Sequence, residues 1–316
     1  MTPRGGAGGS SPPESAQPRG GAGGSSPPES AQPRVSVVIP SYNNADFIQA
    51  TMDSVLGQTY QDFEVIVADH SSTDGTWELL QPYGKQSRVR LLRTPTGGGA
   101  ERNWNRVTDE ATTEFVKLVC GDDLLYPELL DRQVAAFDAE DDGVALVAST
   151  RDIVDASGRP VVRNLGLGGL RDRIDGRVAL RRSVLAGANI FGEPCCVLLR
   201  RTVLNAIGGW HGNPGFMIDQ ATYARALLHG DLVATPGPLA AFRLSANQLS
   251  VGMAKEQARS AAEMHRQLAA MTPGLLSRAD VRVGDAMAAL RAVQRRLVYL
   301  WVGKRMRPSS VSSPEV

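Results

Sequence analysis

The sequence predicts an α/β fold, in which helices flank a mostly parallel central sheet and a helical extension follows at the C-terminus. Two observations carry that reading. From Val35 onward, short runs of β-branched and large apolar residues alternate with stretches whose apolar residues recur at helical spacing. That order is expected when each strand leads into a crossover helix. Of the strand-like runs, VSVVIP, EVIVAD and CCVLLR also show the apolar pattern of buried strands.

VSVVIP at 35–40 is the first such run, and Pro40 is expected to end it. NADFIQATMDSVLGQ then places Ile48, Met52, Val55 and Leu56 at helical spacing, and EVIVAD reads as a second buried strand before a polar turn and a short helix around Trp77. VRLLRT, a helix through AERNWNRV, and EFVKLV continue the alternation. In GDDLLYPELL, Pro127 suits the first turn of a helix that carries Leu130, Val134 and Phe137 inward. VALVAST with the turn DASGRP predicts a strand and hairpin, residues 175–186 a helix, and CCVLLR another buried strand holding Cys195 and Cys196. Residues 255–271 and 277–305 complete the chain as helices, the second interleaving arginines with large apolar residues around Trp301.

Ahead of Val35, residues 3–17 read PRGGAGGSSPPESAQ and residues 18–32 repeat them letter for letter. Lacking aromatic or branched apolar residues, this tract cannot bury enough surface to offset the entropy of ordering. The expected organisation is a disordered Gly/Pro/Ser-rich tail over 1–34, an α/β domain over 35–250, and a helical extension over 251–316 with disordered last residues.

Composition narrows the function. With 34 basic and 33 acidic residues, a formal charge of +1 offers no field to attract nucleic acid. Three cysteines are too few for a disulfide framework, so a reducing compartment is expected. No apolar run approaches the roughly 18 residues of a membrane span, and the N-terminus carries no apolar core of a secretion signal. The expectation is a cytoplasmic protein.

Three polar clusters each follow a strand: Ser41-Tyr42-Asn43-Asn44, Asp69 through Asp74 including Ser72, and Gly121-Asp122-Asp123. In a parallel sheet they share the edge where ligands bind. Carboxylate and amide acceptors with an aromatic wall suit a base and ribose, and hard oxygen ligands suit a divalent cation on a diphosphate.

These segments, VSVVIPSYNN, SVLGQTYQDFEVIVAD, SSTDGT and LVCGDDLLYPELL, resemble the successive signatures of the family-two inverting glycosyltransferases of GT-A fold. The resemblance runs on through GEPCCVLLRRTVLNAIGGW and IDQATYARALLHG to AFRLSANQLS, covering roughly residues 35–250. It implies transfer of a sugar, with inversion, from a nucleoside diphosphate (a UDP-sugar first among donors) to a glycan or glycolipid acceptor. It also implies Mg2+ or Mn2+ as cofactor, and cell-surface polysaccharide or glycolipid synthesis at the inner face of the membrane.

By the same similarity, Pro40 and Tyr42 line the base pocket and Asp69 accepts a hydrogen bond from the base. Asn44, Ser72 and Asn103 lie along the nucleotide-sugar site, Asp122 is the metal-binding carboxylate, and Asp123 supports its loop or the sugar. Asp219 is the catalytic base. Helix capping is the alternative role for Asp74, Asp122 and Asp219. The sequence departs from the family where Cys120-Gly121-Asp122 lacks the first aspartate of the DXD motif, and where Leu244 and Ser245 follow Arg243 without a histidine. His70 stands where a second aspartate is usual and reads as solvent-facing or as a ligand. The C-terminal helix either packs on the catalytic domain or touches membrane. The departures motivate a rival reading, a catalytically silent scaffold of the same fold. A nucleotidyltransferase is disfavoured because SYNNAD is not a Gly-rich phosphate loop.

Overall fold

The apolar run after Arg34 becomes β1 (Val35–Ser41), buried at every position. It leads through α1 (Ile48–Leu56) to β2 (Phe63–Asp69), α2 (Thr76–Leu80), β3 (Val89–Arg93), α3 (Gly99–Asp109) and β4 (Phe115–Leu118). This is a computed structural model that describes residues 32–212, 217–245 and 256–306. The chain divides into Met1–Ala31 and a unit Gln32–Val316, and only the second is described. The repeated tract, the AFRLSANQLS residues beyond Ser245 and the last ten residues fall outside the described residues. Arg34, read as the end of the tail, instead pairs with Glu114 and Asp138 at 2.9 Å each, so the folded unit begins ahead of Val35.

The chain continues as β5 (Leu124–Leu125), α4 (Leu129–Asp138), β6 (Val144–Val154), β7 (Pro160–Leu165), β8 (Asp172–Ile174), α5 (Gly176–Ala186), β9 (Val197–Arg200), α6 (Arg201–Ala206), α7 (Ile218–Ala226) and β10 (Asp231–Arg243). Helices α8 (Gln257–Met271) and α9 (Arg278–Val302) follow. The strands form one sheet in the order β3-β2-β1-β4-β9-β6-β10-β5, with β7 on β6 and β8 on β10. Pairing is parallel from β3 to β4, antiparallel on both sides of β9, and parallel again between β6 and β10.

Two details differ from expectation. Strand β1 runs through Pro40 to Ser41, paired with Ala68 and Asp69. Val38 accepts from Val119 on the β4 side and Ser41 accepts from His70 on the β2 side, so Pro40 faces β4 at the point where that strand stops. Its missing N–H therefore costs no ladder bond. Cys195 and Cys196 are buried but lie in the 3-10 turn Pro194–Cys196 ahead of β9, with sulfurs 3.8 Å apart and no disulfide.

Helix α9 is fastened at both ends. Ser277 and Asp280 form a reciprocal cap, and Arg181 of α5 grips Asp280 at 2.8 and 3.1 Å. At the other end Val302 and Met306 pack with Ile153 and Leu244. In between the helix crosses Gly187, whose φ of +59° and whose 2.3 Å gap from an added Cβ to the Ala288 nitrogen exclude any side chain there.

Candidate active site

The polar clusters meet where the sequence places them, at the carboxyl ends of β1, β2 and β4, and open into a cavity of about 1620 Å3. Pro40, Tyr42, Asn44, Asn103, Asp122, Asp123 and Asp219 all line it.

The turn after β1 is held by side chains rather than ladder bonds. Asn44 Oδ1 accepts from the Tyr42 N–H at 2.9 Å and from Ser41 Oγ at 3.1 Å, while Asn43 takes a φ of +52°. The SSTDGT segment braces this turn from behind. Asp74 accepts from the Ala45 N–H and from Thr76 Oγ1, the Asn43 side chain accepts from the Thr73 N–H, and Ser72 Oγ accepts from the Asn43 N–H. Tyr42 stays 57% exposed and sets its ring edgewise to His70, centroids 6.0 Å apart. His70 is buried against the cavity, not solvent-facing, with Nδ1 3.1 Å from Thr94 Oγ1. Burial, with Arg106 nearby, holds its imidazole below the ordinary value and therefore neutral.

Asp69 and Ser72 are not on the cavity wall. The Asp69 carboxylate is fully buried at the end of β2, with Oδ2 accepting from the Ser72 N–H and lying 3.7 Å from Arg93 Nε. Its Oδ1 has no partner, an acceptor left open beside the Tyr42 turn. Asn103, buried on α3, receives Thr94 Oγ1 at 3.4 Å.

Gly121 explains itself by contact: a Cβ there would lie 2.6 Å from Asn44 Oδ1, so the acidic loop and the β1 turn close on each other only with glycine. Arg243 organises the loop. Its backbone N–H donates to Asp123 Oδ1 at 3.1 Å, and its guanidinium donates to the Asp122 and Ala156 carbonyls while lying over the Phe47 ring. Burial and the neighbouring Asp122 push the Asp123 carboxyl well above the ordinary range, and Asp123 Oδ2 is unpartnered. Cys120, where the first aspartate of a DXD motif would stand, is kept a neutral thiol by burial.

Among the described residues no three His, Cys, Asp or Glu side chains converge to hold a metal alone. Asp122 on the cavity, with the open Asp123 oxygen beside it, suits instead a cation that takes its other ligands from diphosphate and water. Ser245, in place of the absent histidine, also faces the cavity.

Asp219 opens α7. Its Oδ2 accepts from Asn189 Nδ2 at 2.9 Å, and the same amide donates to the Gly192 carbonyl, which fixes the carboxylate against the 189–193 loop. Burial pushes the Asp219 carboxyl up to about 6, with Glu193 adding to the shift. Glu193 is itself held by the buried Arg151, Nη2 to Oε1 at 2.9 Å. The sequence reasoning did not single out Asn189, Arg151 or Glu193. Glu193 lies inside the GEPCC segment at 192–196, whereas nothing local marks Asn189, whose role depends on α7 arriving from thirty residues later.

Comparison with known proteins follows the same lines. The model of Glycosyl transferase family 2 matches residues 36–208. An uncharacterized protein of Mycobacterium tuberculosis (strain CDC 1551 / Oshkosh) is 30% identical over 219 residues, 67% of each chain. The putative teichuronic acid biosynthesis glycosyltransferase TuaG of Bacillus subtilis (strain 168) is 36% identical over 101 residues, 32% of this chain and 40% of its own, so this chain matches less than half of that relative. Among solved structures, S. aureus TarS 1-349 in complex with UDP-GlcNAc aligns with a TM-score of 0.61 at 18% identity, covering 86% of this chain and 78% of that one. The mannosyltransferase PcManGT from Pyrobaculum calidifontis, in complex with GDP-Man and Mn2+, gives 0.59 at 17% identity over 87% and 76%. The fold is therefore the GT-A fold of these transferases, and with more than half its length matched by the family model, the chain belongs to glycosyl transferase family 2.

Proposed function

We propose that the chain transfers a sugar from a nucleoside-diphosphate donor to an acceptor hydroxyl with inversion at the anomeric carbon. One observation carries the reading: a single cavity is lined by the strand-end Asp122, by the aromatic pair Tyr42 and His70, and by a semi-buried Asp219 with a raised pKa. Tyr42, Pro40 and neutral His70 wall the base, the open oxygen of Asp69 beside the Tyr42 turn accepts from it, and Asn44, Ser72 and Asn103 fix that turn and the ribose side. Asp219 takes the acceptor proton during in-line attack from the side opposite the leaving group. Asp122, with Asp123 behind it, would hold a divalent cation, Mg2+ or Mn2+, whose charge would offset that developing on the departing diphosphate.

UDP is the first donor to test, because a fold neighbour binds UDP-GlcNAc, with GDP second because another binds GDP-Man. Saturation at about 100 Kd stabilises a protein by about 2.7 kcal/mol, which raises Tm by roughly 5–10 °C for a domain of this size. That shift is expected with one nucleotide and Mn2+. No shift with UDP, GDP or their sugars would remove the donor site.

The scaffold reading has one observation in its favour, the neutral thiol of Cys120 in place of a carboxylate. Retention of Asp122 and Asp219 on one cavity favours the enzyme.

A glycan or glycolipid acceptor at the inner face of the membrane fits the teichuronic acid biosynthesis named for the Bacillus relative. Among the described residues no helix is long and apolar enough to cross a membrane. Helix α9 does expose Leu290, Val293, Leu297, Leu300 and Trp301 as one stripe, with Arg282 and Arg296 beside it, the composition of an interfacial helix. Sedimentation with phosphatidylglycerol vesicles is the expected result, reduced by Trp301→Glu. Equal sedimentation of both proteins would discard the contact.

A further inference from the structure

The cavity is larger than a donor needs. At about 1620 Å3 it exceeds the roughly 300–1,000 Å3 of a one-ligand pocket. Its two ends differ in chemistry. The donor end is built on β1, β2 and β4. The other end is walled by α9 (Arg291, Gln294, Arg295, Val298, Tyr299) and by apolar residues of β6, β7 and β10. In the sheet order β1 and β6 are three strands apart, about 14 Å at the usual spacing.

Arg295 is the anomaly at that end. It is half-buried on the cavity wall, yet its Nε has no hydrogen-bond partner and no carboxylate pairs with it among the described residues. Glu193 acts on it only at a distance and is already held by Arg151. Burial holds its guanidinium below the ordinary arginine value, and the nearby Tyr299 and Glu193 offset that desolvation only in part. Arg291, one helical turn earlier, lines the same wall and donates to Gln294. Two guanidiniums on one cavity wall, neither ion-paired to a carboxylate among the described residues, form a seat for an oxyanion.

Beside that seat the wall turns apolar. Val298 packs with Ile153, Leu244 and Met306, and Phe242 and Val162 continue the surface. Val162 is 37% and Leu165 44% exposed, an apolar edge on β7 that nothing in the described chain covers.

We infer that the α9 wall is an acceptor subsite for an anionic amphiphile: a phosphate group on Arg295 and Arg291, with an apolar chain along Val298, Phe242, Leu244 and Val162. The acceptor label rests on the transferase reading above. The subsite itself rests on the unpaired cation and the adjoining apolar wall. Charge complementarity selects the ligand, since an uncharged lipid leaves Arg295 without an ion pair and a free anion leaves the apolar edge open to water.

Calorimetric titration of the full chain tests this with three probes below their aggregation limit: farnesyl phosphate, farnesol and inorganic phosphate. Farnesyl phosphate should bind at least tenfold more tightly than either of the others. Arg295→Met should weaken it at least tenfold without altering farnesol or UDP binding, and Val162→Ser should weaken it without altering phosphate binding. Equal affinity for farnesyl phosphate and inorganic phosphate would overturn the proposal, as would unchanged binding by Arg295→Met. Loss of UDP binding in Arg295→Met would move that guanidinium to the donor diphosphate and overturn it too. A wild-type chain that binds farnesyl phosphate but no nucleotide would refute the transferase reading while upholding the amphiphile site.

Discussion

Asp219→Asn is expected to lower kcat by roughly 10²–10⁴-fold, the usual worth of a positioned general base, while leaving donor affinity unchanged. The amide keeps the shape of the carboxylate and can still meet Asn189, so the loss isolates proton transfer. The pH dependence follows from the raised pKa. In the proposed role Asp219 acts as the carboxylate, and its carboxyl is pushed up to about 6. Below pH 6 the wild-type kcat/KM should fall about tenfold per unit, and the residual activity of the variant should lack that limb. Stability moves the other way. The folded state binds this proton more tightly than the unfolded chain, so ionisation of Asp219 costs stability that is fully lost above pH 6 and restored below the ordinary carboxylate value near 4. Urea midpoints should therefore show Asp219→Asn more stable than wild type at pH 7.5 and equal to it near pH 4. A limb unchanged in the variant would assign the base elsewhere.

Asp122→Ala is expected to abolish turnover by on the order of 10³-fold and to remove its response to Mn2+. The substitution leaves the loop its frame, because Arg243 holds Asp122 through the backbone carbonyl and Asp123 through its side chain. The fold should therefore survive, with circular dichroism and urea midpoint close to wild type. Arg243→Met, in contrast, should lose both activity and stability, since it strips donors from the Asp122 and Ala156 carbonyls and uncovers Phe47. Activity of Asp122→Ala that still rises with Mn2+ would place the cation elsewhere.

The centre of the sheet was legible because strands such as β1 and β2 are apolar runs buried along nearly their whole length and the helices carry their own spacing. Asp122 and Tyr42 were legible because clusters that follow parallel strands must share an edge. What was not legible depends on packing between distant segments. Pro40 stays in β1 because β4 is short, a fact held in the β4 residues. His70 looks solvent-facing in a polar stretch, but Thr94 and α3 close over it. Asp69 sits behind the turn that Asn44 and Asp74 assemble. Arg243 marks a missing histidine in sequence terms, whereas its work is to anchor Asp122 and Asp123 across 120 residues. Arg295 reads as one of several surface arginines until the fold turns that face of α9 into the cavity.

The central claim is transfer from a nucleotide-sugar at one cavity. Its most direct measurement is turnover of a panel of UDP- and GDP-sugars by the purified chain, with Mn2+, Mg2+ or chelator, alongside Asp122→Ala and Asp219→Asn. One donor should be consumed only with divalent cation, and both variants should fail while Asp219→Asn still binds that donor. No donor bound or consumed, with glycan and farnesyl phosphate acceptors present, would contradict the account and leave a scaffold of the same fold.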